Sequence, residues 1–246
     1  MEKIYGFVRM DIHPGQTDAF VAIGAECVSR AMPDLAGTEL YEWYLSDDGR
    51  QAWVLEVYDD EEAIAHHSHM LQGKSTELRA HADIAITFAG AVPEALVARM
   101  RERLGDAGMF GRRSTGLLDK AASHRDPGAG TDHIMALAWF EPNEGKGEAL
   151  RELAAASFEM ARSSDPGTLA YEWFFDDAGR ALALDIYRDA DAMLAHMGNC
   201  GPIMAEILKI STSRTNLFGT LPVNMQARMR PELGITQFQR RLYGVF

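Results

Sequence analysis

The sequence predicts an α+β fold made of two copies of one βαββαβ unit. Three observations lead to this prediction: a long internal match, the same order of strand and helix patterns in both halves, and an unmatched stretch between them. GTELYEWYLSDDGR at 37–50 matches GTLAYEWFFDDAGR at 167–180 without a gap, and the match resumes at 90–105 and 219–234. A repeat of this length indicates a duplicated structural unit.

The stretch between the two halves has no counterpart. Residues 114–131, STGLLDKAASHRDPGAGT, are rich in Ser, Gly, Asp and Ala and contain a proline, which is typical of a linker. We therefore expect a first repeat at 1–113 and a second at 132–246, each large enough to form its own core.

Each repeat begins with a strand and a helix. Residues Ile4–Ile12 are apolar on both faces with polar interruptions, which predicts a strand that is covered on both sides. Pro14 and Gly15 then turn the chain, and apolar residues at helical spacing predict a helix over Thr17–Met32.

A hairpin follows the first helix. Strands are predicted at Thr38–Leu45 and Gln51–Tyr58 around the turn signal SDDG. The acidic run that begins at Asp59 suits a helix N-terminus, and a further strand at Asp83–Val92 leads into a C-terminal helix from Pro93. This order predicts a ferredoxin-like arrangement, with helices on one face of a four-stranded antiparallel sheet.

The uncovered face of such a sheet indicates where function should lie. A single covered sheet leaves its second apolar face exposed to water, and the duplication supplies a second sheet in the same chain. We therefore expect the two sheets to face each other and to enclose a barrel-like cavity that holds the functional site.

Composition excludes several classes of protein. The chain is 47% hydrophobic and 24% charged, as is usual for a globular protein, and its net charge of −12 disfavours nucleic acid and anionic membranes as partners. The N-terminus does not resemble a signal peptide, and no apolar run approaches the ~20 residues needed to span a bilayer. We expect a cytoplasmic protein.

Cysteines and histidines give no sign of a metal site. Cys27 and Cys200 fall at non-equivalent positions and lack a CxxC partner, so each is interpreted as a small buried hydrophobe, with a reactive thiol left open. The HHSH string at His66, His67 and His69 is not repeated in the second half, and adjacent helical histidines do not converge on one ion.

The order of elements, the hairpin and the helix with "acidic pair, then Ala, then His" after a strand ending in Val-Tyr resemble the antibiotic biosynthesis monooxygenase family of the dimeric α/β-barrel superfamily. The resemblance covers both repeats. Because family members are usually single units that dimerise, the chain resembles a fused pseudo-dimer. The resemblance implies oxygenation of small aromatic, quinol-like substrates by molecular oxygen without a cofactor, and haem degradation in one branch.

The haem-degrading branch uses an Asn on the first strand and a Trp at the end of the third. These positions fall on Val8 and Ala138 for the Asn, and on Tyr58 and Tyr187 for the Trp. Because neither repeat has the Asn, we do not expect haem. Val8 and Ala138 remain candidates for contact with substrate.

Strand parity predicts which side chains share a face. If Tyr58 and Tyr187 face the barrel interior, as the resemblance implies, then Glu56 and Asp185 face it too. The alternate residues, which would then pack under the helices, are Trp53, Leu55 and Val57 in the first repeat and Leu182, Leu184 and Ile186 in the second.

Hairpin pairing adds further interior candidates. Closing the turns pairs Glu42 with Val54 and Glu172 with Ala183, which predicts that both glutamates lie beside the other carboxylates. The bulky side chains expected on the same face are those of Tyr44 and Phe174.

Two carboxylates and a tyrosine in each half suggest proton abstraction. A carboxylate in an apolar site has a raised pKa and can act as a general base on a phenol or enol, and a neighbouring tyrosine can stabilise the oxyanion. His67 and His196, at equivalent helix positions, are further acid–base candidates. The alternative is structural: the carboxylates bond to arginines or amides, and the histidines pack against helices.

Three functions stay open. The first is a cofactor-independent monooxygenase, an oxidoreductase in which the substrate carbanion itself reduces oxygen. The second is a non-oxidative binding or isomerising protein with the same cavity, and the third is a structural protein with a filled barrel. A homodimer is also open, because the repeats can pair within one chain or between two. Tyr41, Trp43, Tyr171 and Trp173 are interpreted as core packing.

Overall fold

The computed structural model describes residues 3–104, 107–110, 112–118, 133–229 and 231–245. It divides into two compact units. The first unit contains the chain up to Met109 together with the strand that begins at Arg240, and the second contains the strand at 112–118 together with the chain from 133 to Gln239.

Both units show the predicted order of strands and helices. The elements of the N-terminal part are β1 Ile4–Ile12, α1 Thr17–Ala31, β2 Thr38–Leu45, β3 Gln51–Tyr58, α2 Glu61–Met70, α3 Lys74–Arg79, β4 Ala82–Gly90, α4 Glu94–Leu104 and β5 Ala107–Phe110. Those of the C-terminal part are β6 Arg112–Leu118, β7 Ile134–Pro142, α5 Gly147–Ser164, β8 Thr168–Phe175, β9 Ala181–Tyr187, α6 Ala190–Ile210, β10 Ser211–Phe218, α7 Val223–Gln226, the 3-10 turn Pro231–Leu233, β11 Ile235–Phe238 and β12 Arg240–Val245. No helix in these described ranges is both long enough and apolar enough to cross a membrane.

Each unit has one six-stranded sheet. The strand orders are β12-β2-β3-β1-β4-β5 in the first unit and β11-β10-β7-β9-β8-β6 in the second. The four strands β2-β3-β1-β4, and their counterparts β8-β9-β7-β10, are antiparallel neighbours, as in a ferredoxin-like βαββαβ unit. The predicted fold of each repeat is therefore confirmed.

The outermost strand on one side of each sheet comes from a sequence-distant segment. Strand β12 pairs with β2, and β6 pairs with β8. The predicted linker at 114–131 overlaps β6, and its remainder lies outside the described residues. Every residue of β2 and β8 is buried, and an exposed edge strand of this kind is prone to pair with another chain. The added strands β12 and β6 cover these edges.

The start of α2 is fixed by a cap and by a close approach. Asp60 accepts a hydrogen bond from the backbone N–H of Ala63, as Asp189 does from Ala192 at the start of α6. A Cβ added to Gly37, whose φ is +70°, would lie 2.6 Å from the Cβ of Ala63. A glycine at the start of β2 thus lets α2 pack closely against the sheet.

Candidate active site

The faces of β3 are the reverse of the prediction. Tyr58 packs with Ala63 and Ile64 of α2, and the Oε1 atom of Glu56 lies 4.0 Å from the Nε2 atom of His67. Glu56 and Tyr58 therefore lie beneath the helices. Trp53, Leu55 and Val57, which were predicted to lie there, point to the opposite face of the sheet.

The second unit requires the same correction. Tyr187 packs with Ala192 and Met193 of α6, and the Oδ1 atom of Asp185 lies 3.8 Å from Nε2 of His196. The residues that point to the other face are Leu182, Leu184 and Ile186. Parity correctly grouped these residues, but parity fixes only relative sides, and the choice of side came from the family resemblance.

The hairpin register separates the two pairs of carboxylates. Glu42 pairs with Leu55, and Glu172 pairs with Leu184, one residue away from the predicted partners Val54 and Ala183. A shift of one residue moves a side chain to the opposite face. The prediction that Glu42 and Glu172 lie beside Glu56 and Asp185 is therefore wrong, and Tyr44 and Phe174 share the face of the two glutamates.

Glu42 is engaged in a bidentate ion pair. The guanidinium of Arg241 donates from Nε to Oε2 at 2.6 Å and from Nη2 to Oε1 at 3.0 Å, and the Glu42 side chain is only 2% exposed. Burial, followed by the charge of Glu42, raises the pKa of the neighbouring Tyr44 hydroxyl. This pair attaches β12 to β2, as in the structural alternative for the carboxylates.

The first-unit cluster consists of Glu56, Tyr58, His67 and Tyr41. The His67 ring lies edge-on to Tyr41, with centroids 4.6 Å apart, and 5.5 Å from the ring of Tyr58. Both tyrosines and the histidine are buried, whereas the Glu56 side chain is 15% exposed. The sequence interpreted Tyr41 as core packing. The structure places it in that core and also against the candidate histidine.

Burial sets the protonation of this cluster. It raises the pKa of the Glu56 carboxyl to about 7, partly offset by a hydrogen bond with Tyr58. Burial, together with the nearby His66, lowers the pKa of His67 to about 4. Near neutral pH, Glu56 can therefore exist in either state beside a neutral imidazole, which suits a group that takes up and returns a proton.

The second-unit cluster consists of the equivalent residues Asp185, Tyr187, His196 and Tyr171, with Asp165 as an additional acid. His196 lies between Tyr171 and Tyr187, at ring-centroid distances of 4.9 and 5.3 Å, and its Nδ1 atom is hydrogen-bonded to Oδ2 of Asp165 at 2.8 Å. Burial raises the pKa of Asp185 to about 6, although the charge of His196 lowers it.

His196 differs from His67 in charge. Desolvation lowers the pKa of His196, but the Cys200 sulfur and the carboxylates of Asp185 and Asp165 outweigh it and raise the pKa to about 9. The imidazole is therefore a cation at neutral pH, paired with the carboxylate of Asp165.

Asp165 and Cys200 are the site residues that sequence comparison missed. Asp165 has Leu35 as its counterpart, so a search for repeated residues does not find it. The Asp165 carboxylate, the Nδ1 atom of His196 and the Cys200 sulfur lie within 4.8 Å of one another. Because Nδ1 already bonds to Asp165, the group forms a hydrogen-bond network, and we assign no metal to it.

Val8 and Ala138 lie on the helix-covered face of their sheets. Val8 pairs with Val54 and packs against both helix-side clusters of the first unit, and Ala138 pairs with Ala183 in the core of the second. They therefore share a face with Glu56 and Asp185. Their contact with substrate stays a prediction.

Comparison with known proteins identifies related folds. The model of the antibiotic biosynthesis monooxygenase family matches residues 4–75 and 133–200, which together exceed half of the chain. A search of curated proteins found no match.

Solved structures are also similar over most of the chain. Two proteins described as "putative monooxygenase", from Lactobacillus acidophilus NCFM and Fusobacterium nucleatum, have TM-scores of 0.58 and 0.57 at 11% and 12% identity. Each alignment covers 87% of this chain, with 92% and 89% of the other chain. At this identity the similarity concerns the fold alone.

Proposed function

The chain belongs to the antibiotic biosynthesis monooxygenase family, and from that premise we propose that it is a cofactor-independent monooxygenase acting on a small aromatic, quinol-like substrate. The observation that supports this proposal most directly is a buried carboxyl, tyrosine and histidine cluster built at the same positions in both repeats. Its members are Glu56, Tyr58 and His67 in the first unit and Asp185, Tyr187 and His196 in the second.

The carboxyl provides the base. Glu56 lies beneath a helix in an environment that raises its pKa to about 7, close to the value at which a general base is most effective in neutral solution. In the carboxylate form it removes the proton of a phenol or enol, and becomes the neutral acid that its surroundings favour. A desolvated base beside apolar core residues is therefore suited to this transfer.

Tyr58 and His67 can donate hydrogen bonds to the oxygen of the substrate anion. Burial raises the pKa of the Tyr58 hydroxyl, so this group stays a hydrogen-bond donor throughout the neutral range. His67, uncharged at that pH, can donate through Nε2 when that atom carries the proton. Donors directed at the developing oxyanion lower the free energy of the deprotonated substrate.

The anion supplies the electrons for oxygen chemistry. Electrons from the deprotonated substrate reduce dioxygen at a ring carbon, one oxygen atom stays on that carbon as a carbonyl, and the other leaves as water. The substrate loses two hydrogens, the O–H proton taken by the base and one C–H hydrogen, and gains one oxygen; the two hydrogens leave with the second oxygen atom as water, so O₂ is the only oxidant required. Residues of this chain need only bind the substrate, take and return a proton, and exclude bulk water.

The test compares turnover with and without oxygen. Hydroquinones and anthrones are incubated aerobically and anaerobically with the wild-type chain and with the double variant Glu56→Gln/Asp185→Asn. We expect oxygen-dependent product from the wild type and a large loss in the variant. Glu61→Gln is the matched control, because Glu61 is a half-exposed surface carboxylate paired with Arg99.

The outcomes separate the candidate functions. Absence of oxygen uptake by the wild type across the panel would refute the monooxygenase. Anaerobic exchange of a substrate C–H proton without oxygen uptake would instead support an isomerising protein that uses the same carboxyl.

A further inference from the structure

We infer that the two repeats have diverged in role: the first-unit cluster binds the phenolic oxygen of the substrate, and the second-unit cluster is a self-satisfied structural network. This inference rests on the proposed function and specifies which half carries it.

The second-unit cluster satisfies its own polar groups. The Nδ1 atom of His196 bonds to Asp165 at 2.8 Å, and the hydroxyl of Tyr171 bonds to that of Ser157 at 2.7 Å. The amide of Asn199 donates a second hydrogen bond to the Asp165 carboxylate. Nδ1 of His196 and the hydroxyl of Tyr171 are therefore already occupied by partners inside the core.

The first-unit cluster contains buried polar atoms that have no partner among the described residues. The Nε2 atom of His67 is buried and makes no hydrogen bond within the described part of the chain, and its distance of 4.0 Å from Oε1 of Glu56 is too long for one. Nε2 of His196 lies at a similar distance, 3.8 Å, from Oδ1 of Asp185, so the two histidines differ in the carboxylate that Asp165 supplies at Nδ1. The indole of Trp43 interacts with the Tyr41 hydroxyl, but that hydroxyl has no partner at hydrogen-bond geometry among the described residues. Buried polar groups without partners are costly, so a ligand oxygen that bonds to them gains affinity.

Two substitutions between the repeats account for this difference. Leu35 stands where the second unit has Asp165: the backbone N–H of Thr38 bonds to the Leu35 carbonyl at 2.9 Å, and that of Thr168 bonds to the Asp165 carbonyl at 3.0 Å. Likewise, Cys27 occupies in α1 the place that Ser157 occupies in α5. The first unit thus lacks the carboxylate that bonds to Nδ1 of His196 and the hydroxyl that bonds to Tyr171.

The spacing of the unsatisfied groups suits one oxygen atom. An oxygen about 2.8 Å from each partner can bridge two atoms that are 4.0 Å apart. A phenolic hydroxyl in that position would lie within reach of the base, Glu56, and of a donor, Nε2 of His67. The Glu56 side chain is also the more exposed of the two carboxylates, at 15% against 9% for Asp185, which favours access from solvent.

The test counts sites and locates them. Calorimetric titration with 1-naphthol, a phenol used without a co-oxidant under anaerobic conditions, should give one site per wild-type chain. Cys27→Ser gives Tyr41 the acceptor that Tyr171 has, and Leu35→Asp gives His67 a carboxylate. Cys27→Ser should weaken binding about tenfold, the cost of competing with one hydrogen bond for the Tyr41 hydroxyl. Leu35→Asp should also weaken it, because a carboxylate at Nδ1 holds the proton there and a neutral His67 then cannot donate from Nε2. Both should lower oxygen uptake in parallel.

Second-unit variants provide the comparison. Ser157→Cys, which makes α5 resemble α1 at this position, should leave the affinity for 1-naphthol and the rate of oxygen uptake within twofold of wild type. Should Leu35→Asp fail to fold, the isosteric Cys27→Ser retains the test, with thermal unfolding measured for both.

The outcomes for this inference differ from those for the proposed function. Two sites per chain, no binding, or a single site weakened by Ser157→Cys and unaffected by Cys27→Ser would overturn the assignment to the first unit. One site lost in the first-unit variants without oxygen uptake would refute the monooxygenase and support the assignment of the binding half.

Discussion

The Nε2 atom of His67 lies 4.0 Å from the Oε1 atom of Glu56, so a helix and a strand bring an imidazole and a carboxyl together beneath α2 without a direct hydrogen bond. His196 and Asp185 repeat this relationship at 3.8 Å. Because the same positions meet in both units, the arrangement is a property of the βαββαβ fold and of the repeat. The side chains around each pair decide its charge state.

Replacing Glu56 with Gln should remove the base. We expect kcat for oxygen uptake to fall about a hundredfold or more, the usual contribution of a general base. Because the base acts as the carboxylate and its pKa is about 7, wild-type activity should rise as pH increases through about 7. The variant should not show this rise. Initial rates of oxygen uptake between about pH 5 and about pH 9 check this. A variant with the wild-type pH profile would exclude Glu56 as the base.

The same substitution should stabilise the protein at alkaline pH. The folded-state pKa of Glu56 is raised to about 7 from its ordinary value of 4.5, so its contribution to stability is present below the unfolded pKa and is lost as pH rises through about 7. Gln has no charge to bury. Glu56→Gln should therefore raise Tm relative to wild type at about pH 8 and have little effect at about pH 4. Thermal unfolding at both pH values measures this, and equal shifts would contradict the raised pKa.

Replacing Asp165 with Asn should destabilise the second unit. His196 would be left buried without its anionic partner, which costs about 3 kcal/mol. The pKa of His196 is raised to about 9, so this stabilisation is complete below the ordinary histidine value of 6.5 and is lost as pH rises through about 9. Urea unfolding should therefore show a larger loss at about pH 6 than at about pH 10.

An exposed Asp–His pair provides the control for that prediction. Asp83 lies 3.5 Å from His13 with its side chain 87% exposed, so Asp83→Asn should cost less than about 1 kcal/mol. Similar losses for Asp165→Asn and Asp83→Asn would mean that the buried pair contributes no special stability.

Removing Arg241 alone from its ion pair with Glu42 should cost more stability than removing both charges. Arg241→Met leaves the buried carboxylate of Glu42 without its bidentate partner and should cost about 3 to 5 kcal/mol. The double variant Glu42→Gln/Arg241→Met should recover part of that loss, because no charge remains buried. Urea unfolding measures each variant. A double variant no more stable than Arg241→Met alone would contradict this account.

Gly37 should be intolerant of a side chain. An alanine there would place its Cβ 2.6 Å from the Cβ of Ala63 and would have to adopt a φ of +70°. We expect a loss of about 2 kcal/mol or more, and reduced oxygen uptake because α2, which carries His67, is displaced.

Gly73 provides the matched control for that substitution. Its φ is +86°, but no heavy atom of the described residues lies within 4 Å of an added Cβ, so Gly73→Ala should cost only the backbone strain, about 1 kcal/mol. Thermal unfolding of both variants separates backbone strain from the helix contact. Equal losses would show that the approach of Gly37 to Ala63 is unimportant.

Local patterns along the chain were enough to predict the order of elements and the repeated positions. Period-2 and period-3.6 patterns located the strands and helices because they depend on the geometry of one segment at a time. Comparison of the halves singled out Glu56, Tyr58 and His67 with their counterparts, since it needs only residue identity.

Which residues meet depends on contacts between distant segments, which appear once the chain is folded. The register that separates Glu42 from Glu56, and the pairing of β12 with β2, depend on hydrogen bonds between segments whose alignment local patterns do not specify. Parity groups the residues of a strand but does not say which group lies under a helix. Asp165 reaches His196 only because the turn before β8 packs against α6, a contact that arises from folding and has no equivalent in the first repeat.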